Sequence, residues 1–382
     1  MARSLLEAPA PITAGKPVQG PWRRNASRKE DDIADLHAFR IDGIVQLITL
    51  LSRFVVLILP SRIDNIISQW GQPGHMGFGL VHYPTDFSRD ILPIPCHSHN
   101  DYWRDVPLFN AIRAGCIGVE ADIWLFAEEL YVGHSIASLT PNRTLNSLYI
   151  NPLLSILDRQ NPDPQLLSEP EYHRPHGVFD TEPEQPLIFL IDFKTQGDAL
   201  WPYMYTALEP FRQRNYLTKI VNETIVEGPI TVVGTGNTPF SAVISDELNP
   251  HKDVFFDAPL EKMYLASDVP SPSSSSEYKY NPLNSFYASV ALPKALDGNP
   301  NKDGEFSPGQ IDLLRGQLRG AHARGLKARY WDTPFWPIGM RNRIWEILVR
   351  EGVDLLNVDD LEGAAKRDWG ENVGWWRSRG RR

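Results

Sequence analysis

Between residues 91 and 360 the chain repeats one pattern, a short continuous apolar run that ends in polar residues. The runs are ILPIPCH (91–97), CIGVEADIW (116–124), PLIFLIDFK (186–194), ITVVGTG (230–236), DVFFDAP (253–259), SFYASVAL (285–292), LKARYWDTP (326–334) and VDLLNVDD (353–360). A strand that is apolar without alternation is buried on both faces, the habit of parallel sheets. Parallel neighbours need crossover connections, and helical spacing supplies them in VPLFNAIRAGC, closed by Gly115, and over 308–325 and 339–352. Eight such units predict an α/β fold, a TIM-type (β/α)8 barrel, forming one domain over 91–370. The polar, Pro-rich segments 158–185 and 267–282 read as insertions on its rim. A doubly wound sheet is the alternative, but GTGNTPF (234–240) carries only the first pair of the dinucleotide-binding glycines.

The leader is different in kind. Residues 1–40 are rich in Pro and Gly and basic, and predict a disordered arm without the regions of a signal peptide. Residues 41–70 predict an apolar helix. Its core, Ile44 to Leu59, is broken by Gln46, Thr49, Ser52 and Arg53 and followed by Pro60. A spanning helix wants about 20 apolar residues, and a central Arg costs about 2.5–3.5 kcal/mol. Three readings stay open: a helix packed on the soluble domain, a helix lying in a membrane interface through 41–67, or a short span. The expectation is a membrane-associated protein. If the segment spans, Arg23, Arg24, Arg28 and Lys29 favour a cytosolic N-terminus and a lumenal barrel. Glycosylation sequons at Asn25, Asn142 and Asn222 are compatible with that.

Charge narrows the function classes. Thirty-eight basic residues against 47 acidic ones give a net charge of −9, without the basic footprint of a nucleic-acid binder. The two cysteines, Cys96 and Cys116, do not make a disulfide scaffold.

In a barrel, chemistry gathers at the C-terminal ends of the strands. The first run delivers His97, Ser98, His99, Asn100, Asp101 and Tyr102. The second carries Glu120 and Asp122, and LYVGHS then brings His134. The third ends in Asp192 and Lys194, and later ends offer Asp257, Tyr330, Trp331, Asp332, Asn357, Asp359 and Asp360. Glu120 and Asp122 are two apart, so on a strand both point to one face. Two carboxylates in an apolar strand must hold a cation or pair with Lys or Arg. His99 and His134 are acid–base candidates or structural histidines, and His97 is the weaker candidate. Lys194 shares a face with Asp192, where it can hold a phosphate oxygen or neutralise a carboxylate.

These groups suit phosphodiester chemistry. Carboxylates bind a hard divalent cation, Mg2+ or Ca2+, and two histidines can divide general base and general acid work. The zinc-hydrolase HExxH, the serine-esterase G-x-S-x-G and the Walker A motifs are missing. The segment Asn299-x-Asn301-x-Asp303-Gly304 imitates an EF-hand loop, but Gln310 stands where the bidentate Glu belongs, and it reads as a polar turn before the helix at Pro308.

HSHNDY followed by AxxxGCIGVEADIWLFAEELYVGHS resembles the PLC-like phosphodiesterase superfamily, which includes the glycerophosphodiester phosphodiesterases. With NPLNSFYASVAL, GLKARYWDTPFWP and GVDLLNVDDL it is closer still to a fungal group, the altered inheritance of mitochondria protein 6 group, over about 91–365. The resemblance implies a TIM-type barrel that hydrolyses the phosphodiester of a phospholipid or of its headgroup. It implies His99 and His134 as the catalytic histidines, Glu120, Asp122 and Asp192 as cation ligands, and Lys194 as their companion. The chain departs from the glycerophosphodiesterases where Asn100-Asp101 follows His99 in place of Arg-Gly, and where Asp192 stands for the usual Glu. A lyase that forms a cyclic phosphate, and a catalytically degenerate barrel serving as a membrane-associated scaffold, are the alternatives.

Overall fold

The structure, a computed structural model, describes residues 43–51, 88–162, 174–268 and 275–369. The chain divides into two units, residues 1–82 and 83–382. In the first, residues 43–51 are helical, with Ile44, Val45, Leu47, Ile48, Leu50 and Leu51 exposed. The predicted arm, the rest of the predicted helix and the Asn25 sequon lie outside the described residues. Among the described residues no helix is long and apolar enough to cross a membrane.

The second unit holds the barrel. Its strands are β1 (Ile94–Ser98), β2 (Cys116–Phe126), β3 (Glu129–Val132), β4 (Leu187–Phe193), β5 (Lys219–Val221), β6 (Thr224–Val226), β7 (Ile230–Gly236), β8 (Val254–Pro259), β9 (Ser285–Ala291), β10 (Lys327–Trp331) and β11 (Leu355–Val358). Around the barrel the order is β1-β2-β4-β7-β8-β9-β10-β11, every pair is parallel, and β11 returns to β1. This closed eight-stranded ring is the TIM-type (β/α)8 fold the apolar runs predict, and closure excludes the doubly wound sheet. The short β3 folds back antiparallel on the long end of β2, and β5 and β6 form a separate hairpin.

Each predicted run marks a strand, and six of the eight contain theirs whole, while β1 extends one residue and β2 two residues beyond the run. The helix expected from Val106 begins at Phe109, because Leu108 turns the chain at φ 65° and donates its N–H to the buried Asp101 carboxylate at 2.6 Å. The helix Pro308–Ala323 starts on a capping box: Ser307 Oγ accepts from Gln310 N, and Gln310 answers to the Ser307 N–H. That box uses Gln310. The preceding EF-hand-like segment is a turn in which Asn301 Oδ1 accepts from the backbone of Asp303 and Glu305.

Cys96 and Cys116 are joined by a disulfide between β1 and β2, both wholly buried. A scaffold of bridges is not needed here, but the single bridge was not anticipated from two cysteines 20 residues apart. It ties the strand that leads into His99 to the strand that carries Glu120 and Asp122.

Candidate active site

Glu120 and Asp122 lie on the inner face of β2, 5% and 1% exposed. The β2–β4 register places Asp122 opposite Asp192, and the β4–β7 register carries the row on to Thr235 and Gly236. One oxygen from each of Glu120, Asp122 and Asp192 lies within 4.8 Å of the others. Two glycines make room for this. A Cβ on Gly236, whose φ is 64°, would stand 1.9 Å from Asp192 Oδ1, and a Cβ on Gly118 would stand 2.2 Å from His97 Nδ1. Gly236→Ala therefore strains the backbone and forces the Asp192 carboxylate out of its place. We expect this variant to lose cation affinity and thermal stability together, by calorimetry and melting. An unchanged affinity would contradict the packing described.

The carboxylates repel one another, and the surroundings answer unevenly. Burial pushes Asp122 up to about 7, helped by the charges of Glu120 and Asp192 and opposed by Lys194. Burial also raises Asp192, again against Lys194. Glu120 is the exception. Burial works to raise it, but His97 and the Arg329 guanidinium hold it below the ordinary carboxylate range. His97 Nε2 and Arg329 Nη1 lie 3.8 Å and 3.6 Å from Glu120 Oε2. Even so, Glu120 Oε2 and Asp122 Oδ1 are buried and accept no hydrogen bond. Buried lone pairs left free among converging hard oxygens are what a divalent cation fills, so the residues fit one. Lys194 Nζ bridges Asp192 Oδ2 at 2.6 Å and Asp122 Oδ2 at 2.9 Å. Both carboxylates raise the lysine above its usual range against the effect of burial.

The two histidines named from sequence stand at the strand ends. His99 Nδ1 lies 2.9 Å from Asp359 Oδ1, at the end of β11. Burial alone would depress His99, but the bond to Asp359 and the nearby carboxylate charges leave it raised. Arg104 braces this pair: it donates to the carbonyls of His99 and Val358, each at 3.1 Å, and to that of Asp359 at 2.5 Å. His134, half exposed, has Nδ1 at 3.2 Å from the Tyr102 hydroxyl and 3.7 Å from Asp122 Oδ2, and its ring lies 4.9 Å from that of Trp103. The Tyr102 hydroxyl is also 2.7 Å from Asp122 Oδ2, so one phenol joins a carboxylate of the cluster to His134. Asp359→Asn should lower the His99 pKa, because a carboxylate that favours the imidazolium is gone. We expect the limb of the pH–rate profile set by His99 to move to lower pH; an unmoved profile would detach Asp359 from the reaction.

The remaining strand-end candidates separate. His97 is wholly buried beside Tyr287, its pKa lowered to about 4 by burial, and serves as a neutral neighbour of Glu120. Asp257 lies inside the barrel, taking a bond from Thr235 Oγ1 at 3.0 Å with Arg329 Nη2 at 3.7 Å. Asn357 accepts from Arg329 at 2.8 Å. Tyr330 instead donates to Gln317 on the helix Pro308–Ala323, and Asp360 caps the helix Leu361–Ala365 and pairs with Arg341. Trp331 and Asp332 are exposed. Sequence reasoning missed Arg329, Arg104 and the two glycines. The signal for Arg329 was a cation in the middle of KARYW, a strand whose three central residues are buried.

Residues 85–257 match the AIM6-like phosphodiesterase domain. A protein of Arthroderma benhamiae named altered inheritance of mitochondria protein 6 homolog is 44% identical over 293 residues, 75% of this chain and 87% of that protein. The chain belongs to the altered inheritance of mitochondria protein 6 family. Family members in Saccharomyces cerevisiae and Eremothecium gossypii are 35% and 34% identical, covering 72% and 73% of this chain and 70% and 71% of their own lengths. No solved structure matches the chain. The family's phosphodiesterase domain includes His99, Glu120, Asp122, His134, Asp192 and Lys194, while Arg329 and Asp359 lie beyond the matched residues.

Proposed function

We propose that this barrel hydrolyses the phosphodiester of a phospholipid or of its glycerophosphodiester headgroup. Glu120, Asp122 and Asp192 would hold Mg2+ or Ca2+, and His99 and His134 would share the proton transfers. The observation that carries the reading is the convergence of three carboxylates, two of them with free buried lone pairs, in a phosphodiesterase domain, with one of the two histidines hydrogen-bonded to a carboxylate and the other near Asp122. When bound, such a cation takes charge from a phosphoryl oxygen and lowers the pKa of a bound water. The chain's own groups do the rest. One imidazole takes the proton of the attacking water and the other gives a proton to the leaving alkoxide. Asp359 fixes the tautomer of His99, and Tyr102 keeps His134 beside Asp122. Lys194 offers an ammonium to a phosphoryl oxygen.

The rim supports a lipid substrate. Trp103, Val106, Ile136, Phe335, Trp336 and Ile338 are all at least half exposed, on the segments that follow β1, β3 and β10. Apolar and aromatic side chains beside a polar site suit a molecule whose reacting group is charged and whose remainder is apolar. The scaffold reading keeps one supporting observation, the neutralisation of Asp122 and Asp192 by Lys194. The test is turnover by the full chain over glycerophosphodiesters, lysophospholipids, sphingomyelin and phosphoinositides, followed by phosphorus NMR. An open phosphomonoester is expected. A cyclic phosphate would assign the lyase, and no turnover on any substrate would leave the scaffold.

The same reading puts the barrel in an oxidising lumen, held to a membrane through 41–67. Disulfides persist in such compartments, and Cys96–Cys116 is one. Asn142 and Asn222 are both exposed, as glycan acceptors must be.

A further inference from the structure

We infer that Lys194 is a resident counter-ion that a divalent cation displaces, and that its freed ammonium then serves the phosphoryl group. The inference rests on the metal-assisted reading above and deepens it. The ammonium bridges the two carboxylates that face each other across β2 and β4, Asp122 and Asp192. A cation that joins the same two carboxylates, through Oδ2 or through their other oxygens, binds at about 2.0–2.6 Å and so comes close to that ammonium. Two cations this close repel strongly, since one oxygen from each of the three carboxylates lies within 4.8 Å of the others.

Among the described residues Lys194 and Arg329 both contact the cluster, and one is built to leave and the other to stay. Lys194 is a quarter exposed at the end of β4, its backbone fixed by a bond from its N–H to Ile123 O at 3.0 Å, so only its flexible stem need move. Arg329 is 3% exposed and pinned by Ser289 and Asn357, so it remains with Glu120 and Asp257. The exchange has two consequences. The carboxylates are held together before the ion arrives, and the ammonium is released toward substrate only after it. Lys194 therefore opposes ion binding while assisting turnover, and removing its charge should move the two in opposite directions.

The test is calorimetric titration of the full chain with Mg2+ and with Ca2+, in wild type, Lys194→Met and Lys194→Arg, beside turnover of the best substrate. Lys194→Met should bind the ion about tenfold more tightly and turn over at least about tenfold more slowly. Lys194→Arg, which keeps the charge, should bind no more tightly than wild type. If the Met variant is too unstable to titrate, the ion should raise its melting temperature by more than it raises that of wild type. Equal or weaker binding by the Met variant, or an Arg variant that binds as tightly as Met, overturns the inference and leaves the metal-assisted reading standing. Binding to none of the three proteins overturns that reading, and the inference falls with it.

Discussion

His99→Ala is expected to lower turnover by more than about 10²-fold, the loss that follows removal of a general acid or base. The effect should fall on kcat and kcat/KM together, because the imidazole acts on the proton in flight and not on the resting phosphodiester. The fold should be little affected. The His99 side chain is 21% exposed and its partner Asp359 45%, so truncation leaves neither a buried void nor a buried unpaired charge. His97→Ala is the contrasting control. That ring is wholly buried between Tyr287 and Glu120, and its loss should appear in melting temperature first. Turnover by His99→Ala within a few-fold of wild type would remove His99 from the chemistry.

Glu120→Gln should abolish divalent-ion binding and lower turnover by more than about 10²-fold. The change is isosteric and removes only charge, at the carboxylate that His97 and Arg329 keep ionised. It also leaves Arg329 with less compensation in a buried setting, so some loss of stability should accompany it. The ion's effect on wild-type stability carries a sign that can be checked. Asp122 is raised from 3.8 to about 7, so its folded-state advantage is present below the lower value and is lost as pH rises through the higher. Without a divalent ion the ionised cluster should therefore cost stability progressively across that window. Added Mg2+ or Ca2+ should raise the melting temperature more at pH 8 than at pH 5. A stabilisation independent of pH, or one retained in Glu120→Gln, would place the ion elsewhere.

The barrel was legible because its signal is redundant. Eight apolar runs each mark a strand, and a parallel ring with crossovers is the closed arrangement that buries all of them. The carboxylate cluster was half legible. The two-residue spacing of Glu120 and Asp122 fixes a shared face within one strand, and the spacing of Asp192 and Lys194 does the same in another. That Asp122 and Asp192 stand opposite each other is a matter of register between strands some 70 residues apart, which local pattern does not contain. The same holds for Asp359, which reaches His99 only because β11 closes onto β1, and for Arg329, which meets Glu120 across the barrel interior. Gly118 and Gly236 were invisible for another reason. Their role is the space they leave for His97 and Asp192, and a sequence displays side chains, not the room between them. The leader was read from composition alone, and its apolar helix is described only over 43–51.

The most direct measurement is turnover of a phospholipid and of its glycerophosphodiester headgroup by the full chain after removal of divalent ions, and again after Mg2+ or Ca2+ is restored. Phosphomonoester release should fall to background without the ion, return with it, and not return in Glu120→Gln. Release that survives chelation unchanged, or that Glu120→Gln retains, would contradict the metal-assisted reading.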